Sequence, residues 1–414
     1  MKEISRVKGT KDYIFDEMEK INFIIEKVRE VYERFGFKQM ETPALEYWET
    51  LARKGAGGSE ILEETFRFKD KSNNDICLRY DLTVPLARVI AMNKNIPLPF
   101  KRYQISKVWR YGDVAKGRLR EFYQADIDII GSYSSLADAE VLACAYEALK
   151  SLNLEFSIKI NSRKLLFAIM EKADVEKEKI LDAIRSLDKL DKIGRKLVEE
   201  EMKKKGISEN SIKNVFGIIE NGFESLDIEG KEEIEALIEY LKDFGVKNFE
   251  IDLSLARGLD YYTGFIFEIV SKKEGKLGSI AGGGRYDNLI ELFAGKKIPA
   301  TGISLGIDRI AEIISQPKKK KFVYVAFSSK KVIKKGLEII KDLRKSGISV
   351  DFDIMERKLS KQLEYAASIG IEFVVILGER DLSKDQVTVR NMISGEEKNI
   401  NVKDLRDFLL SVLK

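Results

Sequence analysis

The stretch WRYGDVAKGRLREFYQADID, residues 109–128, joins two segments typical of β-strands through a short basic loop. Both flanking segments, FKRYQISKVWRY and REFYQADIDIIGSY, are rich in aromatic and β-branched residues. Side chains alternate between the two faces of a strand, so Gln124, Asp126 and Asp128 share one face. Three polar residues on one side of an otherwise apolar strand predict a wet cleft there, whereas the loop alone is more typical of a solvated hairpin tip.

Outward from this hairpin, the pattern predicts an α+β fold with two domains. Residues 1–317 form the first domain, in which mostly antiparallel strands alternate irregularly with helices. Within it, about residues 162–246 are rich in lysine and glutamate and helix-periodic, which indicates a helical insertion. After the linker SQPKKKK, residues 322–414 read as a βαβαβ unit with a hairpin and a final helix, hence a small α/β domain.

Composition excludes several classes of chemistry. The 414 residues contain no histidine, which rules out Ser-His-Asp and Cys-His catalysis and histidine-ligated zinc. The net charge of +4 is too small by itself to indicate a polyanionic partner. Two cysteines without C-x-x-C spacing, no secretory leader and no apolar run of about 20 residues predict a reduced, cytoplasmic protein without a membrane span.

Two glycine-containing segments near residue 300 are also candidates for ligand binding. AGGGRYD, residues 281–287, is not a P-loop, and Gly282–Gly284 predict either a tight strand-to-helix turn or a backbone left open for a ligand. In TGISLGIDR, residues 301–309, small residues alternate along a strand, and Arg309 follows one turn into a helix. Small residues on one face permit close approach by a flat ligand, and Arg309 could reach a phosphate.

Taken together, the motifs resemble those of histidyl-tRNA synthetases, which are class II aminoacyl-tRNA synthetases. The resemblance covers nearly the whole chain and rests on GTKDY (9–13), LRYDLTVPLARV (78–89), KGRLREFYQADIDIIG (116–131), LARGLDYYTGFIFE (255–268), AGGGRYDNLI (281–290) and VILGERDLSKDQVTVRNMISGEE (375–397). It implies a class II antiparallel sheet flanked by helices, with an anticodon-binding domain at the C-terminus. It also implies a homodimer.

The resemblance implies ATP-dependent activation of L-histidine, with Mg²⁺, and transfer of the histidyl group to the 3′ end of tRNA(His). AMP and pyrophosphate would be released. By position, Arg110 and Arg257 would hold the α-phosphate of ATP, with Arg118 as a further phosphate contact. Phe122 would stack on adenine, and Arg309 would hold the terminal phosphate. A guanidinium suits these roles because its planar fork stays charged and contacts two oxygens.

For the amino acid, the resemblance implies two groups of contacts. Asp81, Thr83 and Gln124 would bind the α-ammonium group, since all three offer oxygen acceptors. Asp128 and the adjacent pair Tyr261 and Tyr262 would surround the imidazole ring. 

One position departs from the family pattern. Gly112 stands where a glutamate often contacts the adenine amino group, so the adenine contact stays open. Two alternatives also stay open: a synthetase-like regulatory subunit of ATP phosphoribosyltransferase, and a non-catalytic tRNA sensor.

Overall fold

The computed structural model describes residues 4–53, 58–256, 261–272, 278–317 and 321–413. The chain divides into two compact units, Met1–Pro317 and Lys318–Lys414. Across the described ranges, no helix is both long and apolar enough to cross a membrane.

The first unit is built on a mostly antiparallel sheet. Its strands are β1 (Lys38–Gln39), β2 (Leu45–Tyr47), β3 (Arg67–Lys69), β4 (Asp75–Leu78), β5 (Phe100–Trp109), β6 (Glu121–Ile130), β7 (Phe156–Ser162), β8 (Phe249–Ile251), β9 (Phe265–Ser271), β10 (Ser279–Arg285) and β11 (Ala300–Gly306). In the described residues, eight of these form a central sheet in the order β1-β5-β6-β11-β10-β9-β7-β8, and β2-β4-β3 form a small one. The outer pairs β1–β5 and β7–β8 are parallel, and the inner pairs are antiparallel.

Helices pack on both faces of the central sheet. The helices of this unit are α1 (Asp16–Arg34), α2 (Trp48–Leu51), α3 (Gly58–Glu64), α4 (Thr83–Met92), α5 (Ser135–Ser151), α6 (Arg163–Lys172), α7 (Ile180–Leu187), α8 (Leu190–Ile193), α9 (Arg195–Lys204), α10 (Glu209–Asn221), α11 (Lys231–Asp243), α12 (Glu291–Ala294) and α13 (Ile307–Ile313). Apolar side chains of α1 and α5 pack against Ala125, Ile127 and Ile129 of β6. Because side chains alternate along a strand, the even-numbered residues of β6 face the other way.

The second unit is a smaller α/β structure. Its strands are β12 (Val323–Phe327), β13 (Val350–Phe352), β14 (Phe373–Leu377), β15 (Gln386–Asn391) and β16 (Glu397–Asn401), and its helices are α14 (Ile333–Lys345), α15 (Leu359–Ser368), α16 (Glu379–Leu382) and α17 (Leu405–Val412). The strands β13, β12 and β14 are parallel, as the βαβαβ pattern predicts, and β14–β15–β16 are antiparallel. The α+β fold class is confirmed.

The interpretation of Gly282–Gly284 as a strand-to-helix turn is wrong, because these residues lie inside β10. Close packing between strands explains why glycines occupy these positions. A Cβ atom on Gly283 would lie 2.0 Å from the carbonyl oxygen of Gly302 on β11. One on Gly284 would lie 2.4 Å from the carbonyl oxygen of Phe265 on β9. Glycine in a strand interior commonly marks such a close approach.

Candidate active site

A cavity of about 800 Å³ lies over the opposite face of the central sheet from α1 and α5. Its floor carries Gln124, Asp126 and Asp128 of β6, together with Gly302, Ser304 and Gly306 of β11. The register pairs Gln124 with Gly306, Asp126 with Ser304 and Asp128 with Gly302. Each polar residue of β6 therefore faces a small residue, and the predicted cleft is confirmed by the strand register.

Glycine keeps this floor open beside Asp128. A Cβ atom on Gly302 would lie 2.0 Å from Oδ1 of Asp128. A side chain at residue 302 would therefore displace the carboxylate. The same substitution at Gly306 would meet its nearest atom at 3.5 Å, which is ordinary contact.

Asp128 is held by two buried partners from neighbouring strands. Nη2 of Arg102, on β5, lies 2.7 Å from Oδ2 of Asp128, and the Arg102 side chain is fully buried. Tyr286, which follows β10, donates its hydroxyl proton to Oδ1 of Asp128. Burial raises the pKa of Asp128, and the charge of Arg102 opposes that rise. The carboxylate is thus fixed in position at one end of the cavity.

Asp81 occupies the start of α4, beside the same end of the cavity. Its Oδ1 accepts hydrogen bonds from the backbone N–H groups of Thr83, at 3.1 Å, and Val84, at 3.0 Å. This arrangement satisfies donors that a helix leaves free in its first turn. Oδ2 of Asp81 is buried and has no hydrogen-bond partner among the described residues. It remains available as an acceptor for a ligand.

Tyr261 and Tyr262 form an aromatic wall of the cavity. Their ring centroids are 4.9 Å apart, and the ring of Tyr286 lies 6.0 Å from that of Tyr261. Burial raises the pKa values of Tyr261 and Tyr286 well above the usual range, so both hydroxyls keep their protons. Arg257 and Asp260, which directly precede this pair, lie outside the described residues.

The other end of the cavity is basic and aromatic. The guanidinium of Arg110 lies over the rings of Tyr80, 4.3 Å from its centroid, and Phe122, at 5.4 Å. Its Nε donates a hydrogen bond of 3.2 Å to the carbonyl oxygen of Tyr80. Arg118 is exposed and lies in the loop at the rim of the cavity. A planar base between Phe122 and this cationic rim would have both a stacking surface and charge for phosphates.

Arg309 reaches this end from the first turn of α13. It donates hydrogen bonds to the carbonyl oxygens of Ser279, at 2.5 Å, and Gly117, at 3.4 Å. The preceding residue, Asp308, anchors the helix start by accepting from the hydroxyl of Tyr13 and, at 2.6 Å, from the backbone N–H of Tyr123. The GTKDY segment thus helps to position Arg309.

A carboxylate fills the space beside Gly112. A Cβ atom on Gly112 would lie 2.9 Å from Oε1 of Glu64, the last residue of α3. Oε2 of Glu64 accepts a hydrogen bond of 3.2 Å from the hydroxyl of Tyr80. Both residues line the cavity. Glu64 therefore offers a carboxylate acceptor from another segment of the chain. It lies near Gly112, the position where the family often has a glutamate.

Comparisons with known proteins give the same result as the motifs. A sequence-family model described as Histidyl-tRNA synthetase matches residues 9–310, and one described as Anticodon binding domain matches residues 322–411. The chain belongs to the histidyl-tRNA synthetase family. Family membership and the enzyme class expected from the motifs are thereby confirmed.

Two relatives and two solved structures illustrate the likeness. A protein of Bacillus cereus (strain ZK / E33L) named Histidine--tRNA ligase 1 is 39% identical, covering 98% of this chain and 100% of the relative. The Histidine--tRNA ligase of Pyrococcus furiosus is 37% identical over 99% of this chain and 100% of the relative. The crystal structure of histidyl-tRNA synthetase from Nostoc sp. PCC 7120 has a TM-score of 0.86 and 30% identity, with 99% of each chain covered.

The other solved structure bears on one alternative. A Bacillus halodurans structure titled ATP phosphoribosyltransferase regulatory subunit/histidyl-tRNA synthetase has a TM-score of 0.77 and 24% identity, covering 90% of this chain and 97% of that one. At this identity, it is evidence for the fold alone.

Sequence reasoning missed three residues of this site. Arg102 and Tyr286 contact Asp128, and Glu64 lies beside Gly112. The sequence places Asp126 on the cleft face with Gln124 and Asp128, but the motifs give it no role. Arg102 and Tyr286 become visible only once the strand order and register are known.

Proposed function

We propose that the chain joins L-histidine to ATP, forming histidyl-adenylate, and then transfers the histidyl group to the 3′ end of tRNA(His). In the first step a carboxylate oxygen of histidine attacks the α-phosphorus of ATP, and pyrophosphate leaves. In the second, the 3′-hydroxyl of the terminal ribose attacks the carbonyl carbon, and AMP leaves. The supporting observation is a single cavity with buried oxygen acceptors at one end and arginines at the other.

The first step suits a chain without histidine. The attacking carboxylate is already an anion, so no general base is needed. Catalysis then rests on in-line positioning and on stabilising the charge that develops at the α-phosphate. Arg110 and Arg257 would supply that charge, Arg118 and Arg309 would hold the other phosphates, and Phe122 would stack on adenine. Glu64 would accept a hydrogen bond from the adenine amino group.

The acceptors at the other end suit an amino acid with a ring that can hydrogen-bond. Asp81, Thr83 and Gln124 would bind the α-ammonium group. Asp128 would accept from one ring nitrogen, and the tyrosine pair would enclose the ring. A buried pocket of this kind rejects analogues without the matching group, because its own polar atoms would be left unpaired.

Mg²⁺ would enter with ATP. In the part of the chain that the structure describes, no three aspartate, glutamate or cysteine side chains are grouped to hold a metal ion. This fits Mg²⁺, which proteins usually hold through one or two carboxylates and the substrate phosphates. Glu268 lines the cavity and would hold the ion, which would offset the charge of the phosphates.

The second unit and a second copy of the chain complete the proposal. The second unit would bind the anticodon stem of tRNA(His), and the active enzyme would be a homodimer in the cytoplasm. Phosphate contacts would make tRNA affinity fall steeply with salt. The alternatives of a regulatory subunit and a tRNA sensor are weaker, because relatives named ligases match nearly the full length.

ATP–pyrophosphate exchange with each of the twenty amino acids tests the proposal. We expect exchange with histidine alone. Asp128→Asn should raise the KM for histidine far more than the KM for ATP, because Asp128 lies at the amino-acid end. Exchange with no amino acid would favour the regulatory subunit, and equal effects on both KM values would refute the assignment of Asp128. Charging of tRNA(His) measures the second step.

A further inference from the structure

Asp126 is a buried carboxylate on the cavity floor to which the motifs give no role. Its side chain lies between those of Gln124 and Asp128 on the same face of β6, opposite Ser304. The residue is only 3% exposed. Its Oδ1 is buried and has no hydrogen-bond partner among the described residues. A buried acceptor beside a cavity, without a partner, is costly unless a ligand satisfies it.

The charges around Asp126 do not balance within the described part of the chain. Arg102 faces it from β5, Asp128 from β6, the hydroxyl of Ser304 from β11, and Asp81 from the start of α4. The buried guanidinium of Arg102 pairs directly with Asp128, and the half-buried Arg110 acts on Asp81, so Asp126 is the carboxylate with which neither guanidinium pairs directly. Burial and the neighbouring carboxylates raise the pKa of Asp126 to about 7. In the proposed function the α-ammonium group of the amino acid binds at Asp81, so Oδ1 of Asp126 still lacks a direct partner among the described residues.

We propose that Asp126 and the imidazole ring of the bound histidine share one proton, which makes Asp126 a further specificity-determining residue of the amino-acid pocket. The inference rests on the proposed function. A protonated Asp126 donates its proton to the lone pair of one ring nitrogen, or equivalently an imidazolium ring donates to the Asp126 carboxylate. The other ring N–H remains for Asp128. No covalent bond changes, and the complex holds one proton between the two groups.

This arrangement selects a ring whose proton affinity matches that of the carboxyl. The ordinary pKa of a histidine ring is about 6.5, close to that of Asp126. An amino acid whose ring has no basic nitrogen would leave the Asp126 oxygen without a partner. Above the pKa of both groups, the carboxylate and the ring lone pair repel each other unless a proton is taken up from solvent. Histidine binding should therefore be linked to the uptake of one proton at pH 8.

Isothermal titration calorimetry of the full chain with histidine measures that uptake directly. Titrations at pH 8 in buffers of different ionisation enthalpy should give close to one proton per histidine. The histidine Kd should rise about tenfold per pH unit above pH 7.5, as expected for linkage to one proton. No proton uptake by the wild-type protein at pH 8 would overturn the inference without any variant.

Asp126→Asn removes the titrating group but keeps a donor, since its amide N–H can reach the ring nitrogen without a proton from solvent. Its histidine Kd should change less than twofold between pH 7.5 and 8.5, with no proton uptake. Asp113→Asn is the matched control, because Asp113 is an exposed carboxylate of the same cavity and its variant should keep the tenfold rise. A tenfold rise in Asp126→Asn would refute the inference. Absence of histidine binding to the wild type would instead refute the proposed function.

Discussion

Replacement of Arg102 by methionine tests how the cavity tolerates its buried charges. The Arg102 side chain is fully buried, 2.7 Å from a carboxylate that is itself 4% exposed. Its charge also opposes the rise in the pKa values of Asp81 and Asp126. Methionine keeps a long flexible side chain, so the main loss is the positive charge. The variant leaves three carboxylates without a buried cation in the described part of the cavity.

The expected loss of folding stability follows from the burial of the pair formed by Arg102 and Asp128. Removing one partner of a buried ion pair costs about 3–5 kcal/mol, because the other charge stays buried and unpaired. The entropy of unfolding of a unit the size of Met1–Pro317 is about 0.7 kcal/mol/K. The midpoint of thermal unfolding should therefore fall by about 4–7 °C at pH 8.

The loss should depend on pH with a definite sign. Without Arg102, the folded-state pKa values of Asp126 and Asp128 rise further above their unfolded values. Between those values the folded state holds protons that the unfolded state has released, so stability falls as pH rises. The destabilisation should thus be clearly smaller at pH 5.5, where the carboxyls of the folded variant are neutral.

Differential scanning calorimetry at pH 5.5 and pH 8.0 measures both effects. The double variant Arg102→Met with Asp128→Asn should recover part of the loss, since one stranded charge is gone. Arg67→Met is the control, because the pair of Arg67 and Asp75 lies at the surface, where solvent screening makes an ion pair contribute little to stability. An equal loss at the two pH values, or no recovery in the double variant, would refute the reasoning.

Three further predictions concern single positions of the cavity. Asp126→Asn should stabilise the ligand-free protein at pH 8 by at most about 4 kcal/mol, because burial holds the pKa of Asp126 at about 7 rather than at the usual value of about 3.9. Thermal unfolding measures this difference, which should vanish near pH 4. Gly302→Ala should raise the KM for histidine at least tenfold in pyrophosphate exchange, because the new methyl group displaces Asp128. The control Gly306→Ala, whose methyl group has room, should change this KM less than threefold. Glu64→Ala should reduce the preference for ATP over purine riboside triphosphate about tenfold in the same assay, and an unchanged preference would exclude Glu64 as an adenine contact.

The parts of the site that depend on one strand or one helix start could be predicted from the sequence. Alternation along β6 places Gln124, Asp126 and Asp128 on one face, and this holds in the structure because the period of a strand is local. The small residues of β11 and the position of Arg309 in the first turn of α13 follow in the same way.

The parts that depend on strand pairing could not be predicted. Arg102 reaches Asp128 because the β5–β6 register pairs these two residues. The glycines of β10 suggest a turn by local propensity, yet the close approach of β11 and β9 requires glycine inside the strand. In both cases a contact between distant segments decides the outcome, and a single sequence does not record it.

The order of residues along β6 also explains how one strand can orient two substrates. A strand rises about 3.4 Å per residue, so Asp128 and Phe122 are separated by about 20 Å along it. The carboxylates lie toward one end of this span, and the arginine-bearing loop adjoins the other end, where β6 begins. A zwitterionic amino acid in such a field would place its ammonium group at the carboxylate end, where Asp81 and Gln124 lie, and its carboxylate toward Arg110. In that orientation the carboxylate could attack the α-phosphate of a nucleotide stacked on Phe122. In the proposed reaction, the charge gradient along this strand would therefore both select the substrates and align them.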